Sequence, residues 1–146
     1  MNLSHPGPVA VRHYDYFDHD ADIGIIGRGP SVDAAFVAAA EAMFDLICDV
    51  GALTPRARVE IDFEEADLEF AFVTWLNLLL ARAHELGLAL GRFTLRHDGD
   101  HWRGIGWGEP WHDGLARGID VKGATLTMLS VRLRDGRWEA RCVVDV

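Results

Sequence analysis

The sequence has few cysteines, little positive charge and no long hydrophobic run. Each of these shortages makes some classes of protein less consistent with it. Its two cysteines, Cys48 and Cys142, lie far apart and form no C-x-x-C pair, which favours a reduced compartment over a secreted disulfide scaffold. Fourteen Lys and Arg against 23 Asp and Glu give a net charge of −9. The chain therefore lacks the overall positive field of a nucleic-acid-binding protein, and its composition does not predict a local basic patch.

The sequence also lacks a segment that would carry it into or across a membrane. Residues 1–12 contain no apolar core of a secretory signal peptide. The most apolar segment, 70–81, is twelve residues long, whereas a transmembrane helix needs about 20. We therefore expect a soluble, cytoplasmic protein.

The length of 146 residues is sufficient for one domain with its own hydrophobic core. Residues 1–12 include Pro6 and Pro8 and show no hydrophobic period, which predicts a flexible N-terminal tail. From residue 13 to residue 146 no linker, internal repeat or low-complexity tract interrupts the chain. This range is therefore predicted to form a single compact domain.

Hydrophobic periodicity predicts two helices among several short strands. Ser31 precedes a helical pattern that ends near residue 48, and a longer pattern runs from about 66 to 86. Alternating apolar residues predict strands on both sides of Asp98-Gly99-Asp100 and of Asp135-Gly136, which are typical of hairpin turns. The order of these elements predicts an α+β fold, with two main helices packed on one face of a largely antiparallel sheet.

A polar segment between two short apolar runs is the first candidate site. His19-Asp20-Ala21-Asp22 separates the runs 14–17 and 23–26. In an extended chain, Asp20 and Asp22 point to the same side, and two neighbouring carboxylates suit a hard cation such as magnesium, calcium or manganese. The alternative is a polar turn in which Asp accepts hydrogen bonds from backbone N–H groups.

Three further positions could carry chemistry, and each also has an ordinary explanation. Asp145 adjoins the carboxyl group of Val146, where a divalent ion could hold two carboxylates together; the alternative is a frayed, solvated chain end. Glu109, in a predicted loop with His112, could ligate a metal or be an ordinary loop residue. Lys122 could bind a phosphate or a partner carboxylate, or form a salt bridge.

Local catalytic signatures are missing from the sequence. It contains no G-x-x-x-x-G-K-[ST], no G-x-G-x-x-G and no G-x-S-x-G motif. The scattered Ser4, Ser31 and Ser130 carry no cue for a Ser-His-Asp arrangement. The residues alone therefore do not predict an enzyme.

Several segments resemble, in order, those of the archease family. His19 to Gly24 is similar to the family signature His-Thr-Ala-Asp-Ile-Gly, and the final Asp145-Val146 is similar to the family's closing Asp-hydrophobic pair. The other similar segments are Ala42-Met43-Phe44-Asp45-Leu46, the second helix from Asp67 to Leu86, Gly108-Glu109-Pro110, Val121-Lys122-Gly123-Ala124-Thr125 and Trp138-Glu139-Ala140. The resemblance covers about residues 13–146, nearly the whole chain.

The resemblance implies a function that composition and spacing do not. Archeases are accessory proteins of RtcB-type RNA ligases, which they activate by promoting GTP-dependent guanylylation and thus multiple-turnover ligation in tRNA splicing or RNA repair. The family carries a divalent metal, here calcium, magnesium or manganese. The positions that match its metal ligands are Asp22, Asp145 and Val146, and those that match other functional positions are His19, Glu109 and Lys122. The resemblance thus implies an RtcB-type ligase as the partner, with no catalysis by this chain itself, and we expect no stable direct binding of nucleic acid.

Two alternatives stay open, and the match is incomplete in two places. The protein could instead be a chaperone or adaptor for an RNA-modifying enzyme, such as a tRNA cytosine-5 methyltransferase, with a structural metal, or a small metal-dependent hydrolase. Asp20 stands where the family usually has Thr, and Thr125-Leu126-Thr127 lacks the family's Tyr and His. Asp22 and Asp145 can share a metal only if the first strand region lies beside the last strand.

Overall fold

The computed structural model describes residues 13–146, and the tail predicted at residues 1–12 lies outside them. The chain forms eight strands, two α-helices and one short 3-10 turn at Val50–Ala52. In chain order the main elements are β1 (Tyr14–His19), β2 (Asp22–Gly29), α1 (Val32–Ile47), β3 (Ala57–Glu64), α2 (Leu68–Leu86), β4 (Leu88–Asp98), β5 (His101–Pro110), β6 (Gly123–Ala124), β7 (Ser130–Arg134) and β8 (Arg137–Asp145).

Both helices begin at local capping signals in the sequence, and α2 also ends at one. The Ser31 hydroxyl accepts a hydrogen bond from Ala34 N at 3.1 Å at the start of α1, and Asp67 Oδ1 accepts one from Phe70 N at 2.9 Å at the start of α2. Gly87 ends α2 at a φ of 66°, in the left-handed region that glycine tolerates best. Within residues 13–146 neither helix combines the length and hydrophobicity of a membrane span.

The strands form two antiparallel sheets and not the single sheet expected from the sequence. In the first sheet the order is β1-β2-β8-β6, with β7 also paired to β8, and in the second it is β3-β5-β4. Alternation of apolar residues marks a strand but does not identify the strand it pairs with. The α+β class, the two main helices and the antiparallel pairing are confirmed.

Helix α1 packs against both sheets and helps to join them around one core. It contacts β2 and β8 of the first sheet and β4 of the second. It approaches β2 closely because Gly27 lacks a side chain, since a Cβ there would lie 2.2 Å from Ala35 O. Trp75 of α2 donates from Nε1 to Phe36 O of α1 at 3.1 Å. The largest fully buried side chains of this core are Trp75, Trp102, Phe36, Phe44 and Phe72.

The first hairpin turns at Asp20 and Ala21. The pairing of β1 with β2 ends at His19 opposite Asp22, so the two residues between them form the turn. Asp20 has a φ of 52°, a left-handed conformation that Asp adopts more readily than most residues. The expectation that Asp20 and Asp22 share one side of an extended chain is therefore wrong, because the chain reverses between them.

Candidate functional site

The last strand brings the final residues of the sequence beside the first hairpin. Strand β8 pairs antiparallel with β2, with Ile23 opposite Val144, and continuing this register by one residue sets Asp22 opposite Asp145. Val146 N donates a hydrogen bond to Asp22 Oδ1 at 3.3 Å. The prediction that the first strand region lies beside the last strand is confirmed. We call Asp22, Asp145 and Val146 together the acidic corner.

His19 and Lys122 lie next to the acidic corner on two different elements. His19 pairs with Asp22 across the first hairpin, and residues directly opposite each other share a face of the sheet. Lys122 N donates a hydrogen bond to Asp145 O at 2.7 Å, and the following residue, Gly123, pairs with Asp145. Five of the six site residues named from the sequence therefore meet at one end of the first sheet, all except Glu109. Asp22, His19 and Val146 are half-buried there, and Asp145 and Lys122 are exposed.

An asparagine that the sequence reasoning did not assign holds this end of the sheet. Asn77 of α2 donates from Nδ2 to Ala124 O at 3.1 Å and accepts from Ala124 N at its Oδ1 at 2.8 Å. These two bonds fix the edge strand β6, and they therefore also fix the backbone at Lys122, which lies beside Asp145. The only signal in the sequence is a carboxamide within the most apolar segment of the chain, residues 70–81.

The donors of the acidic corner are oxygen atoms, which suits a hard divalent cation. They are the carboxylates of Asp22 and Asp145 and the main-chain oxygen of Val146. Within residues 13–146 no Lys, Arg or His side chain forms an ion pair with either aspartate. The described residues also contain no group of three His, Cys, Asp or Glu side chains able to hold a metal. A metal here would therefore need Val146 or water in addition to the two aspartates.

Glu109 lies in strand β5 and not in the loop that the sequence suggested. Its side chain is 5% exposed, and its carboxylate accepts hydrogen bonds from Thr54 N at 2.7 Å and from His112 Nε2 at 2.9 Å. The Thr54 N–H, followed by His112, lowers the pKa of Glu109 below its usual range, and burial opposes this shift. The structure does not bring Glu109 to the acidic corner, because its strand belongs to the second sheet and its carboxylate fixes Thr54.

A cleft of about 680 Å³ opens beside Lys122. Its floor is apolar and includes Phe44, and its rim carries Lys122, His84 and Arg117. The Arg117 guanidinium lies 4.0 Å from the centre of the Trp111 ring, a cation–π contact. Sequence reasoning found Lys122 but not these neighbours, because they come from α2 and from the loop after β5.

Ser31 and the two cysteines are each engaged or buried. Ser31 caps helix α1 through its hydroxyl. Burial raises the pKa of the Cys48 thiol to about 11 and that of the Cys142 thiol to about 12. Both thiols are thus largely protonated at neutral pH, which disfavours a thiolate nucleophile at either position.

The fold and the site define a small α+β protein whose last strand closes an oxygen-rich corner at one end of an antiparallel sheet. The model of the Archease protein family (MTH1598/TM1083) matches residues 14–146. The chain belongs to the archease family.

Relatives and solved structures agree with this assignment. Protein archease of Pyrococcus furiosus is 34% identical over 145 residues, covering 93% of this chain and 100% of the relative, and that of Sulfolobus acidocaldarius is 32% identical with the same coverage. The fold is similar to the solution structure of protein 1598 of Methanobacterium thermoautotrophicum, with a TM-score of 0.81 and 24% identity over 93% of this chain and 100% of the other. It is also similar to an archease of Thermotoga maritima described as a possible chaperone, with a TM-score of 0.64 and 16% identity over 89% of this chain and 94% of the other.

Proposed function

We propose that this protein is a metal-binding activator of an RtcB-type RNA ligase that promotes guanylylation of the ligase by GTP. The observation that supports this most is the acidic corner itself. Two aspartates 123 residues apart meet where β2, β8 and β6 converge, and Asp22 accepts a hydrogen bond from the backbone of Val146. Such an arrangement needs the whole fold to form it, which suits a dedicated site better than a frayed end.

Asp22, Asp145 and a main-chain oxygen of Val146 would hold a divalent cation. When bound, such a cation supplies positive charge that can offset the negative charge of a triphosphate during nucleotidyl transfer. Asp22 also accepts the hydrogen bond from Val146 N, which keeps the last residue against the hairpin. This leaves Asp22 Oδ2 without a hydrogen-bond donor from the described residues, so it is available as a ligand.

The exposed part of this site is where a partner would make contact. Asp145 and Lys122 are both exposed, and the Lys122 backbone is fixed by its bond to Asp145 O. An acidic, metal-bearing edge is complementary to the basic, phosphate-binding active site of a nucleotidyl-transferring ligase. The Lys122 ammonium would bind a phosphate oxygen or a carboxylate of the partner. Crosslinks that map the ligase to the opposite end of the first sheet would contradict this orientation.

Guanylylation of the ligase with labelled GTP tests the proposal. We expect the protein to accelerate labelling of the ligase from its own organism, and Asp22→Asn and Asp145→Asn to abolish the acceleration while their melting temperatures without metal stay close to wild type. Asp18→Asn is the matched control, because Asp18 is an exposed carboxylate in the same hairpin that pairs opposite Ile23. Equal activation by wild type and Asp22→Asn would refute the role of the corner.

A second candidate function is a chaperone or adaptor for an RNA-modifying enzyme, with a structural metal. It is favoured by the similarity in fold to the Thermotoga maritima archease described as a possible chaperone, and by exposed apolar side chains such as Leu126 and Leu133, 60% and 61% exposed. In that case Asp22→Asn should remove the rise in melting temperature on adding calcium or manganese but leave ligase guanylylation unchanged. Suppression of client aggregation, measured by light scattering, would then depend on Leu126 and Leu133.

A further inference from the structure

An arginine-rich pocket lies at the other end of the first sheet. It has a volume of about 350 Å³ and is lined by four arginines, Arg28, Arg134, Arg137 and Arg141, against two acidic residues, Asp135 and Glu139. In a chain with a net charge of −9, this is a local excess of positive charge. We call these four arginines and the cavity between them the arginine pocket.

Glu139 organises part of the pocket without neutralising it. Its side chain is 12% exposed, and Oε2 lies 3.2 Å from Arg28 Nε while Oε1 lies 3.9 Å from Arg134 Nη1. Arg28 also reaches Asp15 at 3.5 Å. One half-buried carboxylate thus holds two guanidinium groups in fixed positions, which lowers the entropic cost of presenting them to a ligand.

The other two arginines form no ion pair with the described residues. Arg137 stands directly opposite Arg134, in the last pair of the β7–β8 hairpin, and like charges in that position repel each other. Arg141 Nε is buried and has no hydrogen-bond partner among residues 13–146, although a buried donor without an acceptor costs free energy. Both features are unfavourable in the protein alone, and an anion in the pocket would relieve both.

We propose that the arginine pocket binds a phosphate group of single-stranded RNA. Guanidinium groups form paired hydrogen bonds with phosphate oxygens and keep their charge at every physiological pH. Ile26 stands opposite Arg141 in the β2–β8 pair and gives the cavity an apolar wall, whereas the Trp138 ring packs against the hydrophobic core on the other face of the sheet. The bases of single-stranded RNA stack on the planes of guanidinium groups beside their own phosphates. This favours a nucleotide chain over an acidic peptide, whose carboxylates bring no ring to stack.

This site is separate from the acidic corner and does not rest on the proposed activation of a ligase. Arg137 and Asp145 lie at opposite ends of β8, and the eight residue-to-residue steps that separate them correspond to about 26 Å along a strand. The expectation of no stable nucleic-acid binding came from the net charge of the whole chain. It does not describe this end of the sheet, where four arginines from β2, β7 and β8 converge.

Fluorescence anisotropy with a labelled ten-nucleotide single-stranded RNA tests the proposal. We expect wild type to bind, and a double variant, Arg137→Gln with Arg141→Gln, to bind at least tenfold more weakly. If two phosphate contacts are lost, the slope of log affinity against log salt should become shallower by about 1.4. Arg82→Gln is the matched control, since it removes one partly exposed guanidinium whose ion pair within residues 13–146 is with Glu85 of the same helix, and it should leave both quantities unchanged.

Further binding experiments distinguish the possible ligands and control for misfolding of the double variant. Arg137→Gln alone changes an exposed side chain and should still weaken RNA binding severalfold if the double variant proves unstable in thermal melting. Inorganic phosphate should compete with RNA in wild type. No RNA binding by wild type, or equal binding by wild type and Arg137→Gln, would overturn the proposal. Binding of a hexaglutamate peptide as tight as that of RNA would assign the pocket to an acidic protein segment instead, and binding of guanosine monophosphate but not RNA would assign it to a free nucleotide.

Discussion

Replacing Asn77 with Asp should disturb the acidic corner, although the two side chains have nearly the same shape. The Asn77 amide makes both a donated and an accepted hydrogen bond with the backbone of Ala124. Strand β6 lies at the edge of the first sheet, so α2 supplies the partner that the strand lacks on its outer side. The pair therefore holds the backbone that carries Lys122 beside Asp145.

The expected cost follows from these two bonds. Asn77→Ala removes both and leaves the N–H and C=O of Ala124, a residue 9% exposed, with little access to water. At about 0.5–1.5 kcal/mol for each bond, the loss is about 1–3 kcal/mol of unfolding free energy. Asn77→Asp keeps the bond from Ala124 N but sets a carboxylate oxygen against Ala124 O. At pH 7 we therefore expect it to cost at least as much as Asn77→Ala.

The pH dependence distinguishes this explanation from a general loss of packing. Only the protonated form of the new carboxyl group can donate to Ala124 O, so its pKa in the folded protein should lie above the unfolded value of about 3.9. A raised folded pKa gives stability that is present at low pH and lost as pH rises through that pKa. Asn77→Asp should thus be more stable than Asn77→Ala at pH 4 and no more stable at pH 7.

Urea denaturation at both pH values, followed by tryptophan fluorescence, measures these differences. Using Asn77→Ala as the reference cancels the titration of other groups. Wild-type stability of Asn77→Asp at pH 7, or a difference between the two variants that does not change with pH, would refute the reasoning.

Two further predictions concern the second sheet. Glu109→Gln should destabilise the protein at pH 7, because the Thr54 N–H and His112 lower the pKa of Glu109. Its difference from wild type in unfolding free energy should shrink as pH falls from about 4.3 through the lowered pKa. Urea denaturation between pH 7 and 3 measures this difference, and a constant value would contradict the prediction. Gly104→Ala puts a Cβ 2.4 Å from Trp75 Cζ3 and should lower the unfolding free energy by about 1–3 kcal/mol. Trp75→Phe removes that atom, so in a double-mutant cycle the double variant should be at least about 1 kcal/mol more stable than the sum of the single changes implies. Strict additivity would contradict the contact.

The helices could be predicted closely because their boundaries depend on local chemistry. Ser31, Asp67 and Gly87 each act on backbone groups within a few residues of themselves, so a linear sequence contains the whole signal. The two sheets could not be predicted in the same way. Strand β5 pairs with both β3 and β4, and nothing within a strand's own residues specifies partners that lie far away in sequence.

Glu109 shows how a correct observation can lead to a wrong local structure. Gly108 and Pro110 on either side of it suggested a loop, since both residues often break regular structure. In the fold Gly108 is instead a point of close approach, because a Cβ there would lie 1.7 Å from Ala89 O of the neighbouring strand. Glycine in a strand can mark such contact as well as a turn, and only the neighbouring strand distinguishes the two.

The candidate sites differ in how much of each the sequence could reveal. The family resemblance predicts Asp22 and Asp145 as metal ligands, and the register of β2 with β8 brings the two residues together, as a shared site requires. The role of Asn77 depends on a backbone 47 residues away. The arginine pocket draws on β2, β7 and β8, and a net charge of −9 conceals it because a sum over the chain has no spatial information.

The two proposed sites can be tested in one protein without interfering with each other. Strand β8 carries Asp145 at one end and Arg137 at the other, about 26 Å apart by strand geometry, and Arg141 of the arginine pocket lies four residues from Asp145, about 13 Å away. Both distances exceed the Debye length of ~8 Å at physiological ionic strength, so charge removed at one site changes the potential at the other little. Asp145→Asn should therefore reduce ligase activation and leave RNA affinity intact. Arg137→Gln should weaken RNA binding and leave activation of the ligase on short RNA substrates intact. If one variant altered both, the two ends would be coupled through the sheet itself, and a single extended surface would replace two separate sites.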